Sequence, residues 1–377
     1  MRFKETALAM AGLLLCLSPL GCGKKEGASA SGKELKIGIQ LPLTGGSATD
    51  GLALKRTYDL WIEQVNAKGG INGKTITPVY VDDGCDPQMA STAANKAISE
   101  GVVLVTGTFC SGAALPAMSL YNDAKIPFMI ANANSLKLVD QNPGNAFILP
   151  YTSRHQVLKA LEIAKKIGAK KIALVDEGDA FSGDLARDSN EIFTQNGLNV
   201  VAKETMNKGE QDTSALVTTL ISKKPDLVFW TAYYADGALL VKNLRAAGYK
   251  GKYMAGDGSS GAQFIELSGK AAEGAIVLSP PIAQVLPSAA KFVADYKAKY
   301  PNQEPGPYEP CAYHACQIIE NVLSRTSSLK MEDILKAAGE TNMDTILGHV
   351  QFEKNHTISN SLVMATVVKD GKYELLN

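Results

Sequence analysis

The sequence predicts an α/β protein with two lobes, each a doubly wound parallel sheet with helices on both faces. Short β-branched runs alternate with amphipathic helical patterns, and that alternation runs through the chain twice, in series of similar length and order. Strands separated by helical crossovers pair in parallel and need cover on both faces. The third observation is the composition of the segments after the strands. "PLTGGSATDG", "TGTFCSGAA", "IANANS", "DEGDAFSG", "TAYYADG" and "GDGSSG" are rich in Gly, Ser, Asn and Asp, with single aromatics. Ligands of doubly wound sheets bind at the carboxyl ends of the strands, so these segments are candidates for holding a small polar molecule.

The first series opens with "LKIGIQL" (35–41) as a strand. Apolar residues at 54, 58, 61, 62 and 65 then line one face of a helix over 54–68, which the glycines of "AKGGING" close. "TITPVYVDD", "VVLVTG" and "IPFMIA" read as strands, with helices over 88–99 and 112–123 between them. The second series comes after "AFILPYTSR". It has helices over 154–167, 183–196, 213–223 and 235–247, and strands "KIALVD", "NVVAKET", "DLVFWTA", "KYMAGD" and "GAIVLS".

At 377 residues, 45% hydrophobic and 20% charged, the chain is globular and large enough for two domains. Its net charge is zero and no basic stripe appears, so a nucleic-acid partner has no electrostatic support. The four histidines, His155, His314, His349 and His356, are dispersed without ligand spacing, and neither a metal site nor a cofactor is expected.

Residues 1–21 read as a signal peptide: Arg2 and Lys4 precede the apolar run "ALAMAGLLLCLSPLG". The run ends in "PLGC", which resembles a bacterial lipobox, with Pro19 and Leu20 departing from the usual residues. Cys22 would then carry lipid and anchor the protein to the membrane, with residues 22–32 as a flexible linker. Cleavage after "ASA" (28–30) is the alternative, and both readings export the protein. Cys16 leaves with the signal and Cys22 is committed to lipid, so Cys85, Cys110, Cys311 and Cys316 remain. An even number in an oxidising compartment suggests bridges rather than nucleophiles. Within one helix Cys311 and Cys316 would point about 140° apart. They pair only if Cys311 precedes the helix, and the sequence leaves that open.

Enzyme motifs are weak. "GGINGKT" (69–75) follows a helix rather than a strand and has Lys68 where a phosphate loop needs its first glycine. No GxGxxG opens the first crossover and no GxSxG elbow is present. A hydrolase using Cys110 at a helix N-terminus is the distant enzyme reading. Ser111, where an apolar strand gives way to a small-residue helix, reads either as a helix cap or as part of an anion site on the helix N-terminus.

"VNAKGGINGK…VYVDDGCDPQMASTAANKAISEGVVLVTGTFCSGAALPA", with "SGDLAR" and "LRAAG" further on, resembles the leucine/isoleucine/valine-binding family of periplasmic solute-binding proteins, which feed ABC importers. The likeness runs from about 35 to 370. It implies the type I periplasmic-binding-protein fold, with two lobes joined by three crossings that close on a ligand. Lobe 1 would be 33–150 plus 281–359, and lobe 2 would be 151–280 plus 360–377. It also implies a Cys85–Cys110 disulfide, no catalytic residues, an amino acid as ligand, membrane permease subunits as partners, and a monomer in the periplasm.

Carried over by position, Ser111 would hold the ligand carboxylate, and Asn132 and Asn134 would contact its head group. Asn134 replaces a hydroxyl residue, but its amide can still donate. Asp257, one carbon shorter than the family's common Glu, would pair with the ammonium. Tyr233 matches a lobe-2 aromatic, and Phe181 replaces a tyrosine. The departure is Asp50, where leucine-binding members present a tyrosine to the ligand side chain. Two outcomes are open to it. Asp50 turns toward water and caps the helix beginning near Gly51, in keeping with a branched-chain or other neutral aliphatic ligand. Otherwise it contacts a polar or cationic side group, as it would in a receptor for a polar amino acid, amide or urea-like ligand.

Overall fold

The computed structural model describes residues 34–359 and 362–376. The signal peptide over 1–21, Cys16, the lipid-bearing Cys22 and the linker over 22–32 lie outside the described residues.

Lobe 1 is a five-stranded parallel sheet of β1 (Glu34–Leu41), β2 (Thr75–Asp82), β3 (Leu104–Gly107), β4 (Phe128–Ile130) and β5 (Ala146–Ile148), in the order β2-β1-β3-β4-β5. Its crossovers are α1 (Ala48–Ala67), α2 (Pro87–Ser99), α3 (Ser111–Asp123) and the short α4 (Leu136–Asp140). Successive residues of a strand serve opposite faces. In β4, Phe128 and Ile130 join the cluster under α2 and α3, while Met129 joins the cluster under α1.

Lobe 2 holds α5 (Ser153–Lys166), β6 (Lys171–Asp176), α6 (Ala180–Gln195), β7 (Asn199–Thr205), α7 (Ser214–Ser222), β8 (Leu227–Trp230), α8 (Tyr234–Ala246), β9 (Lys252–Ala255), α9 (Ala262–Ser268) and β10 (Ile276–Ser279). The same alternation recurs in β8, whose Leu227 and Phe229 face one core and Val228 and Trp230 the other. After β10 the chain returns to lobe 1, where α10 (Ala290–Lys299), α11 (Glu309–Arg325) and α12 (Met331–Gly339) pack, and then forms the ribbon β11 (Asn342–Thr345) and β12 (Gly348–Gln351). It enters lobe 2 a second time as β13 (Met364–Lys369) and β14 (Lys372–Leu375). The chain therefore passes between the lobes three times.

The structure modifies the sequence reading in two places. The lobe-2 sheet, ordered β14-β13-β10-β9-β8-β6-β7, is parallel only from β10 to β7. β13 runs antiparallel to β10, and β14 pairs antiparallel with β13 because two strands joined by the tight turn at Asp370–Gly371 pair that way. Helix α1 begins at Ala48, not at 54. Its first turns lie against Pro42 instead of presenting an apolar stripe. A Cβ on Gly51 would come within 1.9 Å of the Pro42 carbonyl oxygen, so this close approach requires glycine.

Candidate ligand-binding site

The lobe-1 wall of the cleft is built where β3 and β4 end. A disulfide joins Cys85, in the turn before α2, to Cys110, with Cα atoms 5.4 Å apart. Cys110 occupies the N-cap position of α3, and its side chain makes no cap bond. Ser111 is thus the first helical residue rather than the cap; the Ala113 and Ala114 N–H groups donate back to the Cys110 carbonyl, which leaves those of Ser111 and Gly112 available. The buried Ser111 hydroxyl accepts the Ser135 N–H at 3.2 Å. The loop after β4 is tied to the loop after β3 by the Ala133 N–H, which donates to the Thr108 carbonyl at 3.1 Å. That link sets Asn132 and Asn134 beside Ser111. Asn132 donates to the Tyr308 carbonyl at 3.1 Å, and its own Oδ1 is buried without a partner.

The lobe-2 wall is built from three strand ends. Phe181 lies in the first turn of α6, which Asp179 caps with bonds to the Phe181 and Ser182 N–H groups. Tyr233 is the N-cap residue of α8, and Asp257 opens a 3-10 turn (Asp257–Ser259) after β9. Gly258 lets the backbone press on the aromatics: a Cβ there would lie 2.9 Å from the Ala232 carbonyl and 3.2 Å from both rings. The Phe181 and Tyr233 ring centroids are 5.4 Å apart, and Phe109 of lobe 1 packs edge-on against Tyr308 at 4.7 Å.

Ser111, Asn132, Asn134, Phe181, Tyr233 and Asp257 line one small cavity of about 20 Å³, together with Phe109, Gly258 and Tyr308. Contacts from both lobes converge on Asp257. Its carboxylate accepts from the Tyr151 hydroxyl at 2.5 Å and from the Asn134 amide at 2.8 Å. Its carbonyl accepts from the Tyr308 hydroxyl at 2.6 Å, and its N–H donates to Gln156 at 3.0 Å. Burial pushes the Asp257 carboxyl above the usual carboxylate range, although these hydrogen bonds oppose the shift. Among the described residues no Lys or Arg forms an ion pair with it. The arrangement suits a ligand that brings its own cation to Asp257 and its own anion to the start of α3.

Nearby, the lobes also meet at the buried Asp184 of α6. It receives the Ser135 hydroxyl and, at 3.2 Å, the Lys137 N–H, both from lobe 1. Arg187 neutralises it from its own helix at 2.6 Å.

Asp50 matches neither half of the capping expectation. It lies in the first turn of α1, with Ser47 at the cap position, and it is only 5% exposed, so it neither caps the helix nor turns to water. It is not among the residues lining the cavity around Asp257, and it meets lobe 2 near Gly261 instead. Sequence reasoning misses Tyr151, Gln156, Tyr308 and Phe109. Phe109 sits two residues before Ser111, and Tyr151 follows a strand in "AFILPY". Tyr308, in "GPYEP", carries no local signal because it comes from a segment far along the chain. Cys311 and Cys316 both lie within α11, are buried and are unbridged, which settles the question left open by their spacing.

The sequence profile of the periplasmic binding proteins matches residues 34–372. The chain belongs to that family. This binding protein is 29% identical over 296 residues to the leucine-specific-binding protein of Salmonella typhimurium, covering 78% of this chain and 79% of the relative. It is 28% identical over 329 residues to the Leu/Ile/Val-binding protein of Escherichia coli K12, covering 86% and 88%. Among solved structures, the leucine-binding protein LivK of Thermotoga maritima superposes with a TM-score of 0.85 at 25% identity, covering 91% of this binding protein and 98% of that chain. These relatives are substrate-binding proteins rather than enzymes, and the family implies a periplasmic or extracellular location.

Proposed function

We propose that this protein is the solute-capture subunit of an ABC importer, taking an α-amino acid between its two lobes and handing it to membrane permease subunits. The observation that carries the reading is the buried Asp257, without a cation, facing Ser111 and the start of α3 across one cavity. A zwitterion supplies both missing charges. Its ammonium displaces the Tyr151 and Asn134 donors as partner of Asp257, and its carboxylate meets the Ser111 hydroxyl and the first-turn N–H groups. Because the two partners belong to different lobes, the ligand favours the closed state selectively. The aromatic wall of Phe109, Phe181, Tyr233 and Tyr308 excludes water and strengthens both contacts.

The names of the relatives support an aliphatic side chain such as that of leucine, isoleucine or valine. Asp50, buried and not capping, favours a polar or cationic one. A thermal-shift panel of amino acids, small amides and aromatic acids tests the class, since at equal concentration a tighter ligand raises the melting temperature further. Stabilisation by amino acids alone supports the reading. Stabilisation only by ligands lacking an α-ammonium sinks it, and chemical turnover of a bound ligand would sink the view that the protein performs no catalysis.

The apolar segment ending in "LGC" supports lipid attachment at Cys22. Cys22→Ser should release the exported protein from the membrane fraction, and unchanged attachment would refute the anchor.

A further inference from the structure

The unusual group in the cleft is Asp50. It projects from α1 of lobe 1, is only 5% exposed, and its Oδ2 has no hydrogen-bond partner. Its Oδ1 lies 3.7 Å from the point where a Cβ on Gly261 of lobe 2 would stand. Gln263 Oε1, also buried and unpartnered, lies 2.5 Å from that same point. Two buried acceptors on opposite lobes, Asp50 Oδ2 and Gln263 Oε1, thus belong to side chains that flank Gly261, and neither has a donor.

The neighbours do not supply one. The Tyr234 hydroxyl is committed to the Gly46 carbonyl at 2.8 Å, and the Tyr308 hydroxyl to the Asp257 carbonyl. Glu309 on α11 is a second buried carboxyl beside Asp50 and adds negative potential, but it is itself served by N–H groups including that of Gly306. Arg56 donates its Nε to the Tyr296 hydroxyl at 3.0 Å. Among the described residues Asp50 enters no ion pair. Buried polar atoms without partners are uncommon and costly, and a charged one is the costliest.

We propose that Asp50 and Gln263 form a second subsite of the cleft, which receives a cationic side-chain terminus, ammonium or guanidinium, of the captured amino acid. This rests on the amino-acid reading above. Position supports it as well as chemistry. Gly261 follows Asp257 by four residues, just beyond the 3-10 turn over Asp257–Ser259, so one short segment of lobe 2 serves both places. Tyr308 lies beside both Asp257 and Asp50. An isobutyl group in the same place would leave both acceptors unpaired.

Calorimetric titration of the mature protein with L-arginine, L-lysine and L-leucine decides the matter. The expected result is that one of the basic amino acids binds at least tenfold tighter than leucine. Asp50→Asn should then weaken that basic ligand at least tenfold, and Gln263→Ala, at a partly exposed position, should weaken it several-fold while the fold is retained. A preference below tenfold, or unchanged basic-ligand affinity in both variants, overturns the subsite. Tight binding of leucine alone overturns the subsite and leaves the amino-acid reading standing, and binding of none of the three likewise overturns the subsite, the wider reading being decided by the thermal-shift panel.

Discussion

Asp257 and Asp50 are two buried carboxylates in one cleft, and they are served very differently. Asp257, 6% exposed, has the Tyr151 and Asn134 donors on its carboxylate and further bonds on its own backbone. Asp50, equally buried, has an oxygen with no donor at all and Glu309 beside it. Burial pushes both carboxyls up, Asp50 to about 7. The difference teaches that hydrogen bonding within the closed protein lets Asp257 wait for a ligand at little cost, whereas Asp50 has no such provision. The first is a prepared site, and the second is complete only when something else supplies the proton donors.

The largest effect should come from removing the prepared carboxylate. Asp257→Ala should weaken amino-acid binding by about 2–5 kcal/mol, as for other desolvated charge pairs, in calorimetric titration. Near wild-type affinity would mean that the head group lies elsewhere and that the comparison has no functional meaning.

Next is the pH dependence that separates Asp50 from its neighbours. A carboxyl whose folded-state pKa is raised from 3.8 to about 7 contributes stability that is full below the unfolded value and lost as pH rises toward and through the folded one. The groups facing it are Glu309, Tyr234 and Tyr308, and only Glu309 can also ionise in that range. In ligand-free protein, Asp50→Asn should therefore gain stability relative to wild type between about pH 4 and pH 8, by up to about 4 kcal/mol. Denaturant melts at the two pH values measure it. An identical difference at both would show that Asp50 titrates normally.

A third test concerns the lobe-1 wall, which is cross-linked just before Ser111, while Asp257 has no such tether. With a sequence separation of 25 residues, loss of the Cys85–Cys110 bridge in the double serine variant should cost about 3 kcal/mol of stability. Ligand affinity should fall as well, because the start of α3 loses its anchor. Wild-type affinity in a destabilised variant would show that β3 and α3 hold Ser111 without the bridge.

The smallest effect expected is that of Ser111→Ala, which removes one neutral donor while the N–H groups of α3 remain. A loss of about 1–1.5 kcal/mol in binding is the expected outcome by calorimetry, beside a stability loss of about 1–3 kcal/mol because the buried Ser135 N–H loses its acceptor. A loss as large as that of Asp257→Ala would place the anchoring energy on the hydroxyl instead of shared with the helix terminus.

The alternation of strands and helices, and hence the doubly wound architecture, is legible in the chain because periodicity is a local property. Each of Ser111, Asn132, Asn134, Phe181, Tyr233 and Asp257 lies a few residues after a strand, and a parallel sheet brings such ends to one edge, three of them on each of the two sheets. That the two edges together make one site is what the family resemblance implied, not something periodicity carries. The start of α1 is not legible, because its first turns answer to contact with Pro42 rather than to an apolar stripe. The antiparallel β13 and β14 depend on where the chain re-enters lobe 2. Tyr308 reaches the cavity from 51 residues beyond Asp257, with no mark in "GPYEP" to announce it. Asp50 shows the division most sharply. Its sequence neighbourhood is compatible with a cap and with a ligand contact alike. Only the packing of α1 against α11 and the Gly261 segment decided that it is buried without a partner, because burial and hydrogen-bond supply are set by residues far apart in the chain.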